Sequence, residues 1–461
     1  MKLSRSAVRK KANSLPELKF EDQALTSFSG LLIFQKFFAL IGLKSRLSSC
    51  FRGMNSGKVY DRTTVFLQLI IHVLLGYREL KDSRYYRDDP LVKRVLGLAH
   101  IPDTATLSRM LKDASAKSVE KLRILLREIV CNRLKSLAPA RVTLDFDGSV
   151  QSTTRHAEGT AVGFNKKKKG ARSYYPLFCT VAQTGQVFDV LHRAGNVHDS
   201  NGAKAFILGC INVIQAAVPG VIVEVRMDAA FFSDEIVAIL AARGVEFTIS
   251  VPFERFAELK QVIARRRRWR RVSVMDGAMQ YFESPWKPKS WNKRFRFLFI
   301  RTRSKKQQKG PIQLDIFEPH EYGYEFKVII TNKTIRAKRV TAFHEGRGSQ
   351  ENVFGELKSN CQLDYVPVRT LYGNQTFLLA CLFAYNLTRE LQMHTTETSR
   401  HTNAKRTTLW TFEKVDTLRK TLIQRAGRLT RPQGVLTLTV SANQWIQNRL
   451  LEALDAIQAP A

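Results

Sequence analysis

At Arg141 the spacing of apolar residues changes period, and that change limits the architectures open to the chain. From about Ser27 to Lys135 apolar side chains recur every three or four residues, as in Leu31, Phe34, Phe38 and Ile41, or Phe66, Ile70, Val73 and Leu74. That is helical spacing. Arg141–Gly148 then reads RVTLDFDG, with Val142, Leu144 and Phe146 alternating with Thr143, Asp145 and Asp147. A period of two marks a strand with one apolar face. An all-helical N-terminal region followed by an α/β remainder is therefore expected. Asp145 and Asp147 share a face of the strand, and Gly148-Ser149 lets the chain turn at its end. Like charges on a buried face raise each other's pKa unless a cation compensates. The pair fits a metal site or an exposed edge strand.

Further along come a strand-like LFCTVA, a hairpin signal at Thr184-Gly185, a helix over Ala203–Ala217 and a strand marked by Val221, Val223 and Val225. Asp228 stands at the C-terminal end of that strand, before a helix from about Ser233. Strand ends are where α/β sheets carry chemistry, although an aspartate there also fits a helix N-cap. The segment from about Pro252 to Lys338 holds short alternating runs and is longer than a sheet-to-helix connection needs, so it reads as a mostly β insertion. It carries Arg265, Arg266 and Arg268 beside Trp269. With Lys166 and Lys168 these residues suit a DNA groove, where phosphates take the cations and a displaced base stacks on tryptophan; a solvated charged face is the alternative. In Phe343–Asn360, Arg347, Glu351 and Lys358 fall on one helical face. Alone, that pattern also fits a solvated salt-bridge ladder. An apolar helix over Gln375–Gln392, packed on the sheet, and helices near Thr411–Ala426 and Ala442–Ile457 are expected to close the chain.

A length of 461 residues suggests two or three domains. The formal net charge of +34 calls for a polyanionic partner, nucleic acid above all. The apolar runs around Phe66–Tyr77 and Phe377–Tyr385 are too short to span a bilayer, and MKLSRSAVRKKANS has no apolar stretch behind it, so neither a membrane anchor nor a secretory signal is expected. Six cysteines without paired spacing read as buried thiols of a reducing compartment. His100–Ala114 (HIPDTATLSRMLKDA) fits a short helix capped by Asp103 or Thr104, with Leu107 and Leu111 inward and Ser108, Arg109 and Lys112 on its other faces. It reads equally as a helix-turn-helix recognition element or as an ordinary helix of a bundle.

DFDGS, RMDAAF and the helix with Arg347, Glu351 and Lys358, in that order, resemble the DDE transposases of bacterial insertion sequences, in the group with a Tyr/Arg/Glu/Lys signature. His344 stands where the signature has tyrosine. KKKGARSYYPL, HRAGNVHDSNGA and TLRKTLIQRAGRLTR are similar to the same family, and the resemblance runs from about residue 20 to the end. It implies a ribonuclease-H-like core over 139–460, interrupted by the β-rich insertion at about 252–338, with a helical C-terminal part from about 374 and a helical DNA-binding region over 1–138. It further implies Asp147, Asp228 and Glu351 as catalytic, metal-holding carboxylates, with Asp145 as the alternative first carboxylate. Arg347, Lys358 and His344 become phosphate partners. Two Mg2+ ions, for which Mn2+ substitutes, would activate the attacking oxygen and stabilise the leaving one. The implied partners are transposon-end and target duplex DNA and a second protomer on paired ends, with no membrane, in a bacterial cytoplasm near the nucleoid. A descendant that binds DNA without cutting is the other function compatible with these residues.

Overall fold

The computed structural model describes residues 15–55, 57, 59–154, 156–163, 165, 168–197, 201–272, 279–303, 324–401 and 404–457. Lys166 and part of the expected insertion lie outside them. The N-terminal helices are α1 (Leu31–Leu40), α2 (Leu43–Phe51), α3 (Arg62–Leu75), α4 (Pro90–Leu96), α5 (Thr104–Lys112) and α6 (Ala116–Leu137). Their starts are set by side-chain caps: Asp61 Oδ1 accepts from the Thr64 amide at 2.7 Å, and Asp103 Oδ1 from the Thr106 amide at 2.8 Å. Each such cap is worth about 1 kcal/mol. Helix α3 is buried from Thr63 to Leu75 and runs through the middle of the bundle. Helix α5 buries Leu107, Met110 and Leu111 and leaves Arg109 and Lys112 exposed.

A mixed sheet follows, built from β1 (Arg141–Gly148), β2 (Leu177–Val181), β3 (Gln186–Leu191), β4 (Ile222–Met227), β5 (Glu246–Val251), β6 (Arg270–Arg271), β7 (Met279–Ser284), β8 (Arg296–Arg303) and β9 (Tyr324–Thr331). The strand order is β6-β7-β8-β9-β5-β4-β1-β2-β3. The centre is parallel, β1 with β4 and β4 with β5, and the flanks are antiparallel. Gly185, at φ +62, makes the expected tight turn between β2 and β3. The strands of the 252–338 segment do not form a separate sheet. β9 pairs with β5, so they extend the central one, and the segment also contains the helix α9 (Ala257–Ala264).

The central strands divide apolar from polar residues by face. Val142, Leu144 and Phe146, with Val223, Val225, Phe247 and Ile249, join a core with α7 (Ala203–Ala217) and α8 (Asp234–Ala242). The opposite face is polar in register. Thr143 lies beside Glu224 and Glu224 beside Glu246, and the next row holds Asp145, Arg226 and Thr248. That face is covered by α10 (Ala337–Glu345) and α11 (Gly348–Asn360). Its charges are compensated. Lys333 Nζ lies 2.7 Å from Glu224, which also takes Arg141 and Arg406. Burial pushes the Glu224 carboxyl up, but the Arg406 hydrogen bond and the Lys333 charge outweigh it and hold it at about 2.

Helix α12 spans Leu371–Thr395 and is packed chiefly against α3, α5 and α6, and it meets the sheet along edge strand β3. The expected sheet packing is thus a correction: most of its apolar surface completes the helical bundle, in one cluster with the N-terminal helices. Asn386 pairs with both backbone groups of Val187 at 2.9 and 2.7 Å, which satisfies part of the edge. The Thr411–Ala426 helix shortens to helical turns over Val415–Leu418 and Arg419–Ile423. Beyond them, Gly427–Thr430 becomes a strand between Leu25–Thr26 and Thr437–Val440. Helix α13 (Gln444–Ala456) ends the described chain. No helix among the described residues is long and apolar enough to cross a membrane.

Candidate active site

Asp147 and Asp228 end neighbouring parallel strands. Phe146 of β1 lies opposite Met227 of β4, and the two aspartates follow directly on. Strand alternation puts Asp147 on the polar face with Asp145. Asp228 also caps the short turn Ala229–Phe231, accepting from the Ala230 amide at 2.9 Å. The cap and the strand-end position hold together; they are not alternatives.

Asp145 has a different setting from its neighbour two residues on. Its carboxylate is gripped by the Arg226 fork, Nε–Oδ1 at 2.5 Å and Nη2–Oδ2 at 2.6 Å, and both side chains are closed to solvent. Burial raises the Asp145 carboxyl above its ordinary range, and the Arg226 charge opposes that rise. Arg226 Nη1 also donates to the Phe343 carbonyl at 3.0 Å and the Lys405 carbonyl at 2.7 Å. Every oxygen of Asp145 that a ligand would use is committed to Arg226. The sequence offered a sign of this arginine, a charge inside the apolar run VIVEVRM at the position that alternation sends to the polar face.

Helices α10 and α11 form one rod joined at Gly346 and Arg347, both in right-handed helical geometry. Gly346 is needed for close approach. A Cβ there would overlap the Lys405 carbonyl oxygen and Arg226 Nη1. Gly346→Ala is expected to lower stability by about 1–3 kcal/mol, the usual cost of overpacking, as a shift of the urea midpoint at unchanged slope. An unshifted midpoint would show that the 404–406 segment yields freely.

The rod is fastened to the polar face by side chains. Gln350 Nε2, buried, donates to the Asp145 carbonyl at 2.9 Å; sequence reading did not single it out. His344 is buried, with Nε2 2.9 Å from Ser250 Oγ and Nδ1 3.0 Å from Thr248 Oγ1. Burial, then the charges of Lys327, Arg347 and Arg226, hold its pKa well below the ordinary value. Buried with both nitrogens engaged by Ser250 and Thr248, His344 faces the sheet and not the surface where a phosphate contact was expected.

Arg347 reaches Asp147 Oδ2 with Nη1 at 3.1 Å and Glu351 Oε1 with Nη2 at 3.8 Å. Glu351, in the first turn of α11, is 68% exposed, against 19% for Asp147 and 21% for Arg347. Lys358 is half-buried two turns further along the helix. Arg265, Arg266 and Arg268 are exposed after α9, and Lys168 is exposed in a turn. Trp269 is half-buried, edge-on to Phe282, with the Arg301 guanidinium 4.4 Å above its ring. Trp286 and Trp291 pack with Phe256, Phe297 and Phe232. Trp269, expected to stack on a base, packs against Phe282 of β7 and under Arg301 of β8 with part of its surface still exposed.

Among the described residues no three histidine, cysteine or acidic side chains converge on a common ion position. The donors are nevertheless the hard oxygens that Mg2+ takes, and a positive charge, the Arg347 guanidinium, already bridges Asp147 and Glu351. The chemistry of the residues fits a cation.

The model of the family described as transposase DDE domain group 1 matches residues 9–460. The chain belongs to that family. Among solved structures, this DDE transposase is similar to the piggyBac transposase synaptic complex with hairpin DNA, at 12% identity over 94% of this chain and 86% of that one, with a TM-score of 0.43. It is similar over 42% of its length to the Mos1 transposase paired-end complex with left transposon end, at 10% identity and a TM-score of 0.17, covering 59% of that chain. The Mos1 mariner paired-end complex with Mn matches over the same share, at 11% identity and a TM-score of 0.17. At these values the likenesses carry no argument about the site. No curated protein sequence matches the chain.

Proposed function

We propose that this transposase cleaves DNA at the terminal inverted repeats of an insertion sequence and joins the cut end to target DNA, on a ribonuclease-H-like core formed by residues from about 139 onward. The observation that supports this most is the pair Asp147 and Asp228 on adjacent parallel strand ends, with Asp147 joined through Arg347 to the helix that carries Glu351. These three carboxylates are proposed to hold the catalytic cations. Two Mg2+ ions, when bound, supply the charge that activates an attacking oxygen and stabilises the leaving one. Arg347 and Lys358 are assigned to the DNA backbone, Arg347 through its fork and Lys358 as a point charge. Arg265, Arg266, Arg268, Lys166 and Lys168 are assigned to phosphates beyond the cut, with Trp269 as packing beneath that surface. The buried Asp145–Arg226 pair and His344 are positioning residues that fix the rod against the sheet. Residues up to about 138, with Arg109 and Lys112 of α5 outward, are assigned to DNA binding. A pair of protomers in a bacterial cytoplasm, one on each element end, completes the reading.

The test is nicking of duplex DNA bearing the repeats that flank the gene, with and without Mg2+. Wild type is expected to nick only with the cation. Asp228→Ala and Glu351→Ala are expected to bind the same DNA and keep their circular dichroism, and to lose nicking by on the order of a thousandfold. Nicking retained in both variants would sink the assignment.

A further inference from the structure

We propose that Arg347 is a reversible plug in the carboxylate site. Its guanidinium bridges Asp147 and Glu351 and competes there with a divalent cation, and cation entry turns it outward to the DNA backbone. The inference rests on the reading of these carboxylates as the cation site, and it adds a regulation that this reading does not contain.

Three observations carry it. The fork spans the two carboxylates, Nη1 on Asp147 at 3.1 Å and Nη2 towards Glu351 at 3.8 Å, so one cationic group bridges residues of the sheet and of the helix. The backbone of Arg347 is fixed, since its amide donates to the His344 carbonyl at 3.1 Å and its carbonyl accepts from the Gln350 amide at 3.0 Å. The side chain is therefore the part free to turn. Finally, the bridge opens to water on its Glu351 side, where the carboxylate is 68% exposed and the contact loose. Exposed pairs of this kind are weak, so the plug is displaceable.

Arg226, only one row away across the sheet, shows the contrast. It is closed to solvent and locked by two bonds to Asp145 and two to main-chain carbonyls. The same chemical group is permanent in one place and exchangeable in the other. Exchange has a consequence. Plug and cation compete for Asp147 and Glu351, so cation affinity is reduced by the fraction of molecules that are plugged. Once released, the guanidinium is available to a phosphate, so cation and DNA bind cooperatively, and by linkage each tightens the other by the same factor.

Mn2+ binding to the DNA-free protein, followed by electron paramagnetic resonance, tests the competition. Arg347→Met and Arg347→Gln are each expected to bind Mn2+ about tenfold more tightly than wild type, within the usual span of such couplings. Lys358→Met removes an equal charge from the same helix without unbridging the carboxylates, and it is expected to change affinity by less than about twofold. In the second arm, Mn2+ is expected to tighten binding of a linear DNA duplex to wild type and to lose that effect in Arg347→Met. Unchanged Mn2+ affinity in both Arg347 variants overturns the plug, as does an equal gain in Lys358→Met. If wild type binds Mn2+ and Asp228→Asn abolishes the binding while the Arg347 variants stay at the wild-type value, the plug alone fails. If no form binds Mn2+, the cation-site reading fails with it.

Discussion

Arg226→Met is expected to destabilise the protein by about 3–5 kcal/mol, the cost of leaving one partner of a buried ion pair uncompensated. The site makes this a severe case. Asp145 and Arg226 are both closed to solvent, and Arg226 Nη1 serves the carbonyls of Phe343 and Lys405. Removing the arginine strands a carboxylate and two main-chain acceptors together, and unsatisfied buried acceptors cost about 1–3 kcal/mol each where water does not reach them. Adding Asp145→Leu removes the stranded charge, so the double variant is expected to regain part of the loss and not all of it, with the carbonyls still unpaired. Equilibrium urea unfolding checks both variants. A wild-type midpoint in the single variant would mean that water enters the polar face and the pair is not holding it.

Asp147→Asn is expected to abolish cleavage, by on the order of a thousandfold, while leaving the unfolding midpoint within about 0.5 kcal/mol of wild type, as for a partly exposed side chain. Asp145→Asn is expected to do the reverse. It removes the charge that neutralises Arg226, so the folded fraction falls by the buried-pair cost while the folded molecules keep their activity. Two aspartates on one strand face are thus expected to separate into a chemical role and a structural one. The readout is Mg2+-dependent nicking per folded molecule, beside the unfolding curve of each variant. Full nicking by folded Asp147→Asn, with none from folded Asp145→Asn, would exchange the two roles.

Much of the fold was legible because its signals are local. The strand RVTLDFDG, the helix over Ala203–Ala217, the strand ending at Met227 and the α11 helix follow from period alone. The period also put Asp145 and Asp147 on one face and Asp228 at a strand end. His344 took its expected role from its place in the family signature, and a chain position between Phe343 and Glu345 says nothing about what surrounds the ring in space. Its partners Ser250 and Thr248 lie on a strand 94 and 96 residues earlier. The same holds for the tryptophans, since basic neighbours in sequence say nothing about the phenylalanines that pack against the rings in space. The 252–338 segment reads as strands from its alternation, but their joining the central sheet through β9 and β5 is a long-range pairing that no local pattern carries.

By itself, then, the sequence determined the period of each element, the polar face of the central strands and the family to which the chain belongs. Tertiary structure decided what stands against each carboxylate. Asp145 meets Arg226 from 81 residues away, and Asp147 meets Arg347 from 200. Two aspartates of identical local pattern differ only in what the folded chain brings against them. A buried fork closes over the first and a partly exposed one meets the second, because desolvation and a fixed partner are properties of the packed interior and not of the strand.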